Sequence, residues 1–148
     1  MIGVTTEVFV DTWGWIEGHW QAAKRHAEAS ALLQRLRLEG ARWVTTNCVM
    51  LELCGSKGQR PGLRRDTLVA LYQQIYQDPL VEVVHIDRDA QREAFETYFR
   101  SYRDKGFPLV DCTSFLVMKR RGIVRVVTDD NHFRQVGLGF QVLPEDYA

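Results

Sequence analysis

The sequence predicts an α/β fold, with a central, mostly parallel sheet covered by helices on both faces. Three observations predict it. Short apolar runs rich in valine alternate with longer stretches of helical pattern from one end to the other. One run, Val124 to Val127, stops abruptly at Thr128-Asp129-Asp130, and ligand sites of open α/β sheets lie just beyond the carboxyl ends of strands. The 148 residues suit one domain, and no repeat, low-complexity tract or linker divides them.

Glu7 to Asp11 reads as the first strand, closed by an acid, with a short helix from Thr12 to about His19. Ala22 to Glu39 has helical spacing, with Ala27, Ala31, Leu32, Leu36 and Leu38 apolar, and Gly40 is its stop. Arg42 to Thr46 is the second strand, after which Asn47 is expected to cap a helix holding Val49 to Leu53. Gly55 to Gly62 carries three glycines, a proline and two cations, which marks a loop. A helix from about Leu63 to Gln77 ends at Asp78-Pro79. Val81 to Ile86 is the third strand and Asp87 to about Asp104 one long helix. Gly106-Phe107-Pro108 breaks the chain before a helix that starts at Val110 or Asp111 and ends near Gly122. Val124 to Thr128 is the fourth strand, followed by a helical turn and a last strand around Phe140 to Leu143.

Composition excludes several classes. Nineteen basic and nineteen acidic side chains leave no net charge, which argues against a general electrostatic nucleic-acid binder but not against a nuclease with local cations. No apolar run reaches the ~18 residues of a membrane span. The first residues lack a signal-peptide pattern, so a cytoplasmic location is expected. Cys48, Cys54 and Cys112 match no disulfide or zinc framework and read as buried structural thiols.

The acids are more informative. Asp11 and Asp111 each read as a helix cap or as a ligand, and Asp129 or Asp130 could cap the turn before Phe133. Glu52 lies in the apolar run Val49 to Cys54, where an ionised carboxylate is costly unless paired or metal-bound. Singly, each has a structural explanation. Jointly, they fall at or just after strand ends, which a parallel sheet gathers at one edge. Carboxylates collected there require a divalent cation, and oxygen ligands suit Mg²⁺ or Mn²⁺.

Four segments carry a family resemblance: Phe9-Val10-Asp11-Thr12, Glu52 after the second strand, Leu109 to Phe115 around Asp111, and Thr128-Asp129-Asp130-Asn131-His132-Phe133. In this order the sequence resembles PIN-domain ribonucleases, in particular the VapC-type toxins of type II toxin–antitoxin systems. The resemblance spans nearly the whole chain. It implies a single PIN-like domain over residues 1–148, a three-layer α/β/α fold with a sheet of about five strands. It implies Asp11, Glu52, Asp111 and Asp130 as the acids of an Mg²⁺ or Mn²⁺ site, with Asp129 at a variable position. Thr12, Thr113 and Thr128 are hydroxyls expected near the same site, Thr12 and Thr113 toward the substrate. The activity implied is metal-assisted hydrolysis of RNA phosphodiesters, neutralised by a small antitoxin protein. Homodimers are common in the resembling family.

Other residues are weighed beside this. Lys57 and Arg60 in the glycine-rich loop are the leading candidates for substrate contacts. Arg64, Arg65, Lys119, Arg120, Arg121 and Arg125 are further cations whose ordinary role is surface charge. Trp13, Trp15 and Trp20 fit packing better than base stacking, and His132 fits anchoring of the last helical turn with Phe133. Two other functions compete: a PIN-like RNA-processing nuclease, and an RNA- or protein-binding module that does not cut. A phosphotransfer receiver is disfavoured, because a single acid, Asp11, closes the first strand.

Overall fold

The computed structural model describes residues 6–147. Five strands, β1 (Glu7–Val10), β2 (Arg42–Thr46), β3 (Val81–Val84), β4 (Arg125–Val127) and β5 (Gln141–Leu143), form one sheet in the order β3-β2-β1-β4-β5. Every pairing is parallel. Seven α-helices flank it: α1 (Thr12–His19), α2 (His26–Leu38), α3 (Asn47–Leu53), α4 (Arg65–Gln77), α5 (Arg88–Ala94), α6 (Leu109–Arg121) and α7 (His132–Gln135). The expected α/β/α architecture with a five-stranded sheet is therefore present.

This strand order has a consequence for function. From β1 the chain winds outward through β2 and β3, then returns to the other side of β1 to form β4 and β5. The crevice between β1 and β4 is thus the topological switch point, where open α/β sheets place their ligands. Val10 pairs with Val127 at this crevice, and both are fully buried. Gly14 lets α1 start directly over it. A Cβ at Gly14 would lie 2.9 Å from Val10 Cγ1, 2.9 Å from Val127 Cγ1 and 3.0 Å from Val127 O.

α6 is the central helix, buried continuously from Asp111 to Met118. Its Phe115 packs edge-on against Tyr98, Phe107 and Phe133 at 5.7, 5.3 and 5.0 Å. Such edge-to-face pairs add to the energy of burial. At the far end of α6, Arg121 Nη2 reaches Glu7 Oε2 (2.6 Å) and Glu82 Oε1 (2.8 Å), tying β1 and β3 to the helix. Gly122 then ends α6 with a positive φ of 67°.

Several boundaries differ from the sequence pattern. α2 begins at His26 rather than Ala22, because Glu17 Oε1 accepts the Arg25 N–H and holds residues before it in turns. Thr46, not Asn47, caps α3: Thr46 Oγ1 accepts from Val49 N at 3.1 Å, while Asn47 bridges to the backbone of Ile86. The long helix expected to reach Asp104 stops at Ala94 and widens into a π turn over Phe95–Phe99. That turn brings Tyr98 inward onto Phe115 and leaves Phe95 and Phe99 outside. Cys54 is exposed and Cys48 half-buried, so of the three thiols expected to be buried, Cys112 alone is.

Candidate functional site

Asp11 follows β1 and precedes α1. Its N–H still donates to Val127 O (3.1 Å), so the sheet itself fixes its position. Its side chain makes no capping bond, and the cap reading fails for this residue. Instead Oδ2 accepts from Thr128 Oγ1 at 2.9 Å, and Oδ1 is buried with no hydrogen-bond partner. Thr128 Oγ1 in turn accepts the Asp130 N–H at 3.1 Å. One buried hydroxyl thus joins the acid after β1 to the acid after β4.

Asp111 lies in the first turn of α6, with Pro108 at the N-cap, so it is not a cap either. Its place near the positive end of a 13-residue helix favours a carboxylate, but it is only 3% exposed. Glu52 sits on α3, whose start is fixed by the Thr46 cap, and accepts from Thr12 Oγ1 at 2.5 Å. Asp130 Oδ1 accepts the His132 N–H at 2.9 Å and so does help to start α7.

The sequence pattern gives His132 an anchoring role beside Phe133. The structure puts its Nδ1 2.8 Å from both Asp111 Oδ2 and Asp130 Oδ1. Donor atoms of Asp111, Asp130 and His132 all lie within 4.8 Å of one another and could hold a metal ion. The signal in the sequence was the spacing: a residue two beyond Asp130, on a tight turn, can fold back over it. Phe107 packs edge-on against the imidazole at 5.5 Å and fixes its plane.

The electrostatics follow from crowding. Burial pushes the Asp11 carboxyl up to about 7, and Glu52 adds to that, against the hydrogen bond from Thr128 and the nearby backbone N–H of Thr12. Burial pushes Asp111 up to about 9, reinforced by Asp11 and Asp130. The neighbouring Cys112 thiol is driven up to about 12 by its surroundings and by Asp111, which rules it out as a nucleophile. Without a cation these acids favour protonation. A divalent ion fits them well: Asp11 Oδ1 is a buried acceptor in want of a positive partner, and the surrounding donors are carboxylates with one imidazole.

A recess contains Asp11, Thr12, Glu52, Asp111, Asp129 and Asp130, with Trp13, Lys57 and Arg60. Asp129 and Lys57 are exposed at its rim. Arg60 is engaged: Nη1 donates to Oε2 of the buried Glu17 at 2.6 Å. Thr113 is absent from the recess lining; its Oγ1 donates to Val110 O within α6. Nor are the basic residues ending α6 brought there. About 15 Å of helix separates Arg121 from Asp111, and Arg120 pairs with Glu93. Trp15 is buried, and its Nε1–H donates to Thr45 Oγ1 at 3.3 Å, which is a packing role.

Fold and site together define a parallel α/β domain with an acidic, metal-competent centre at its switch point. The chain belongs to the PIN-domain family, whose model matches residues 8–138. It is 29% identical over 138 residues to the 23S rRNA-specific endonuclease VapC20 of Mycobacterium tuberculosis, covering 93% of this chain and 99% of that protein. The crystal structure of Mycobacterium tuberculosis VapC20, a Sarcin-Ricin loop cleaving toxin, matches with a TM-score of 0.73 and 27% identity over 88% of this chain and 95% of that one. The crystal structure of FitAcB from Neisseria gonorrhoeae shares the fold, with a TM-score of 0.58 and 17% identity over 91% of this chain and 95% of that one. Among the described residues, no helix is long and apolar enough to cross a membrane.

Proposed function

We propose that the chain is an Mg²⁺- or Mn²⁺-dependent endoribonuclease acting as the toxin of a toxin–antitoxin pair, built as one domain over residues 1–148. The observation that carries the reading is the orphaned, buried Asp11 Oδ1 beside Glu52, Asp111 and Asp130. Similarity to an endonuclease named for 23S rRNA supports RNA as the substrate and makes ribosomal RNA the first to try.

Asp11, Glu52, Asp111 and Asp130 would hold the ion. When bound, it supplies Lewis-acid activation of water and neutralises charge on the attacked phosphate. The protein does the rest. Thr128 fixes the Asp11 carboxylate and Thr12 fixes Glu52, so neither acid reorganises when a substrate arrives. His132 Nδ1 reaches Asp111 and Asp130 together and so holds the turn at α7 against α6. Lys57 at the rim offers a cation to an RNA phosphate, while Arg60, held by Glu17, lines the recess beside it. The acids sit where the crevice opens, and the hydrophobic sheet below excludes water from their inner side.

Partners follow from the same reading: RNA, a small antitoxin protein, and a second copy of the chain as a homodimer, all in the cytoplasm. The test is direct. Asp11→Asn and Asp111→Asn proteins should lose cleavage of purified ribosomal RNA, and EDTA should abolish it in the wild type. Wild-type cleavage by Asp11→Asn would sink the mechanism. The toxin role requires growth arrest on expression and rescue by a small adjacent gene. Harmless expression of an active enzyme would assign the chain to RNA processing.

A further inference from the structure

The π turn over Phe95–Phe99 leaves two large apolar rings on the surface, 39% and 45% exposed. They are stacked on each other, with centroids 5.4 Å apart and planes inclined by 21°. Together with Arg100, Arg103, Lys105, Phe107 and Pro108 they line a groove. Its charged lining is entirely basic, in a chain with no net charge. Arg100 is shared with Glu96 (3.0 Å) and Lys105 with Asp104 (3.7 Å), and both pairs are largely solvent-exposed. Arg103 has no ion-pair partner within 4.0 Å among the described residues.

The groove and the acidic recess share no lining residue, but they lie close together, with one buried ring between the groove and His132. That ring, Phe107, packs edge-on against His132, and Pro108 leads directly into the helix that carries Asp111. π turns inside helices recur at functional sites, and this one is what turns both rings outward.

We propose that this groove is a subsite for an unpaired nucleotide near the cut in the RNA: its base stacks on an outer face of the Phe95–Phe99 pair, and its phosphate lies against Arg103 and Lys105. The inference rests on the ribonuclease reading. A chain of zero net charge gains little from long-range attraction to RNA, so grip must come from local contacts. Stacked aromatics beside arginine are how proteins hold single-stranded bases without reading their sequence. Lys105 beside the rings favours a phosphate over a protein partner, because lysine is depleted at protein interfaces.

The experiment measures binding of a fluorescein-labelled oligouridylate by anisotropy, in EDTA, so that no cleavage occurs. The Phe95→Ala/Phe99→Ala variant should bind roughly tenfold more weakly than wild type, in line with one lost base stack. Both rings are exposed, so its melting temperature should be close to that of the wild type. Phe99→Trp should bind at least as tightly as wild type, which a purely structural role for the ring does not predict. Arg103→Ala should lower the slope of log affinity against log salt by about 1. Unchanged affinity in the double alanine variant overturns the subsite. If that variant also turns a dimer into monomers on sedimentation, the face belongs to a second copy of the chain. Tight, ring-dependent binding by a wild-type protein that cuts no RNA in Mg²⁺ would instead defeat the nuclease reading and leave the subsite standing.

Discussion

His132 Nδ1 stands 2.8 Å from Asp111 Oδ2, twenty-one residues away in the chain, and it is the same 2.8 Å from Asp130 Oδ1. One imidazole therefore bridges two carboxyl groups that also approach each other directly. His132→Ala takes that shared partner from both. The metal-free variant should be destabilised by about 1–3 kcal/mol, the usual cost of stranding buried polar groups. Its Mn²⁺ affinity should fall roughly 10- to 100-fold, as it does when a group that orients metal ligands is removed. Urea unfolding in EDTA and calorimetric Mn²⁺ titration measure the two effects. A variant as stable and as metal-avid as wild type would reduce His132 to a packing residue.

The metal-free protein should lose stability as pH rises from about 5.5 to about 8.5. Asp11 and Asp111 ordinarily titrate at 3.8, and in the fold they are pushed up to about 7 and about 9, in both cases by burial first. The folded state therefore binds these protons more tightly than the unfolded state. Their contribution is full below the unfolded value and is lost as pH rises through the folded ones. Glu82 and Asp146, held below the ordinary carboxylate range by Arg121 and Arg134, titrate outside this window. Burial holds the His19 imidazole below its ordinary 6.5 and sets a smaller, opposite slope against the acids at the window's acid end. Mg²⁺ competes with the same protons, so its stabilising effect should grow with pH. Melting temperatures in EDTA and in MgCl₂ across this range check both slopes. A metal-free protein that grows more stable toward high pH contradicts the prediction.

Asp130→Asn should reduce cleavage and Mn²⁺ affinity at least tenfold more than Asp129→Asn. The two acids are adjacent in sequence but not equivalent in space. Asp130 accepts from the His132 backbone and shares its ring with Asp111, whereas Asp129 is exposed at the rim. Loss of a metal ligand, or of the group that orients one, costs about 10- to 100-fold. Initial rates on ribosomal RNA at fixed Mn²⁺ decide the order, and equal losses would mean that the ion lies further out than the cluster.

The sheet was legible because its signals are local. Valine runs and their glycine and proline boundaries specify strands and turns without reference to the rest of the chain. Asp11, Glu52, Asp111 and Asp130 stood out because a parallel sheet collects strand ends at one edge, and the structure does bring those four into one recess. What was not legible depends on contacts between distant residues. Nothing near Asn47 in the sequence says that its amide is needed by Ile86, leaving the cap to Thr46. Nothing near Arg60 announces Glu17, forty-three residues earlier, or near His132 announces Asp111. The π turn at Phe95 follows from burying Tyr98 against Phe115, again a tertiary demand.

Lys57 and Arg60 entered as equivalent candidates for RNA contact, and the structure separates them. Arg60 donates to a Glu17 carboxylate that is 3% exposed, and the same carboxylate also accepts the Arg25 N–H. Arg60→Ala therefore strands a buried charge and loosens the turn before α2. It should cost about 1–3 kcal/mol of stability, with any loss of activity accompanied by a lower melting temperature. Lys57 lies on the short 3₁₀ turn Ser56–Gly58, exposed at the recess and with no ion-pair partner within 4.0 Å among the described residues. Surface substitutions of this kind change stability by about 0.5 kcal/mol or less. Lys57→Ala should consequently leave unfolding unchanged, raise the KM for RNA and flatten its salt dependence by about one counterion. Urea unfolding and steady-state kinetics at two salt concentrations distinguish the pair. If Lys57→Ala lowers stability, or Arg60→Ala raises KM without doing so, the division between the gripping cation and the anchoring one is reversed.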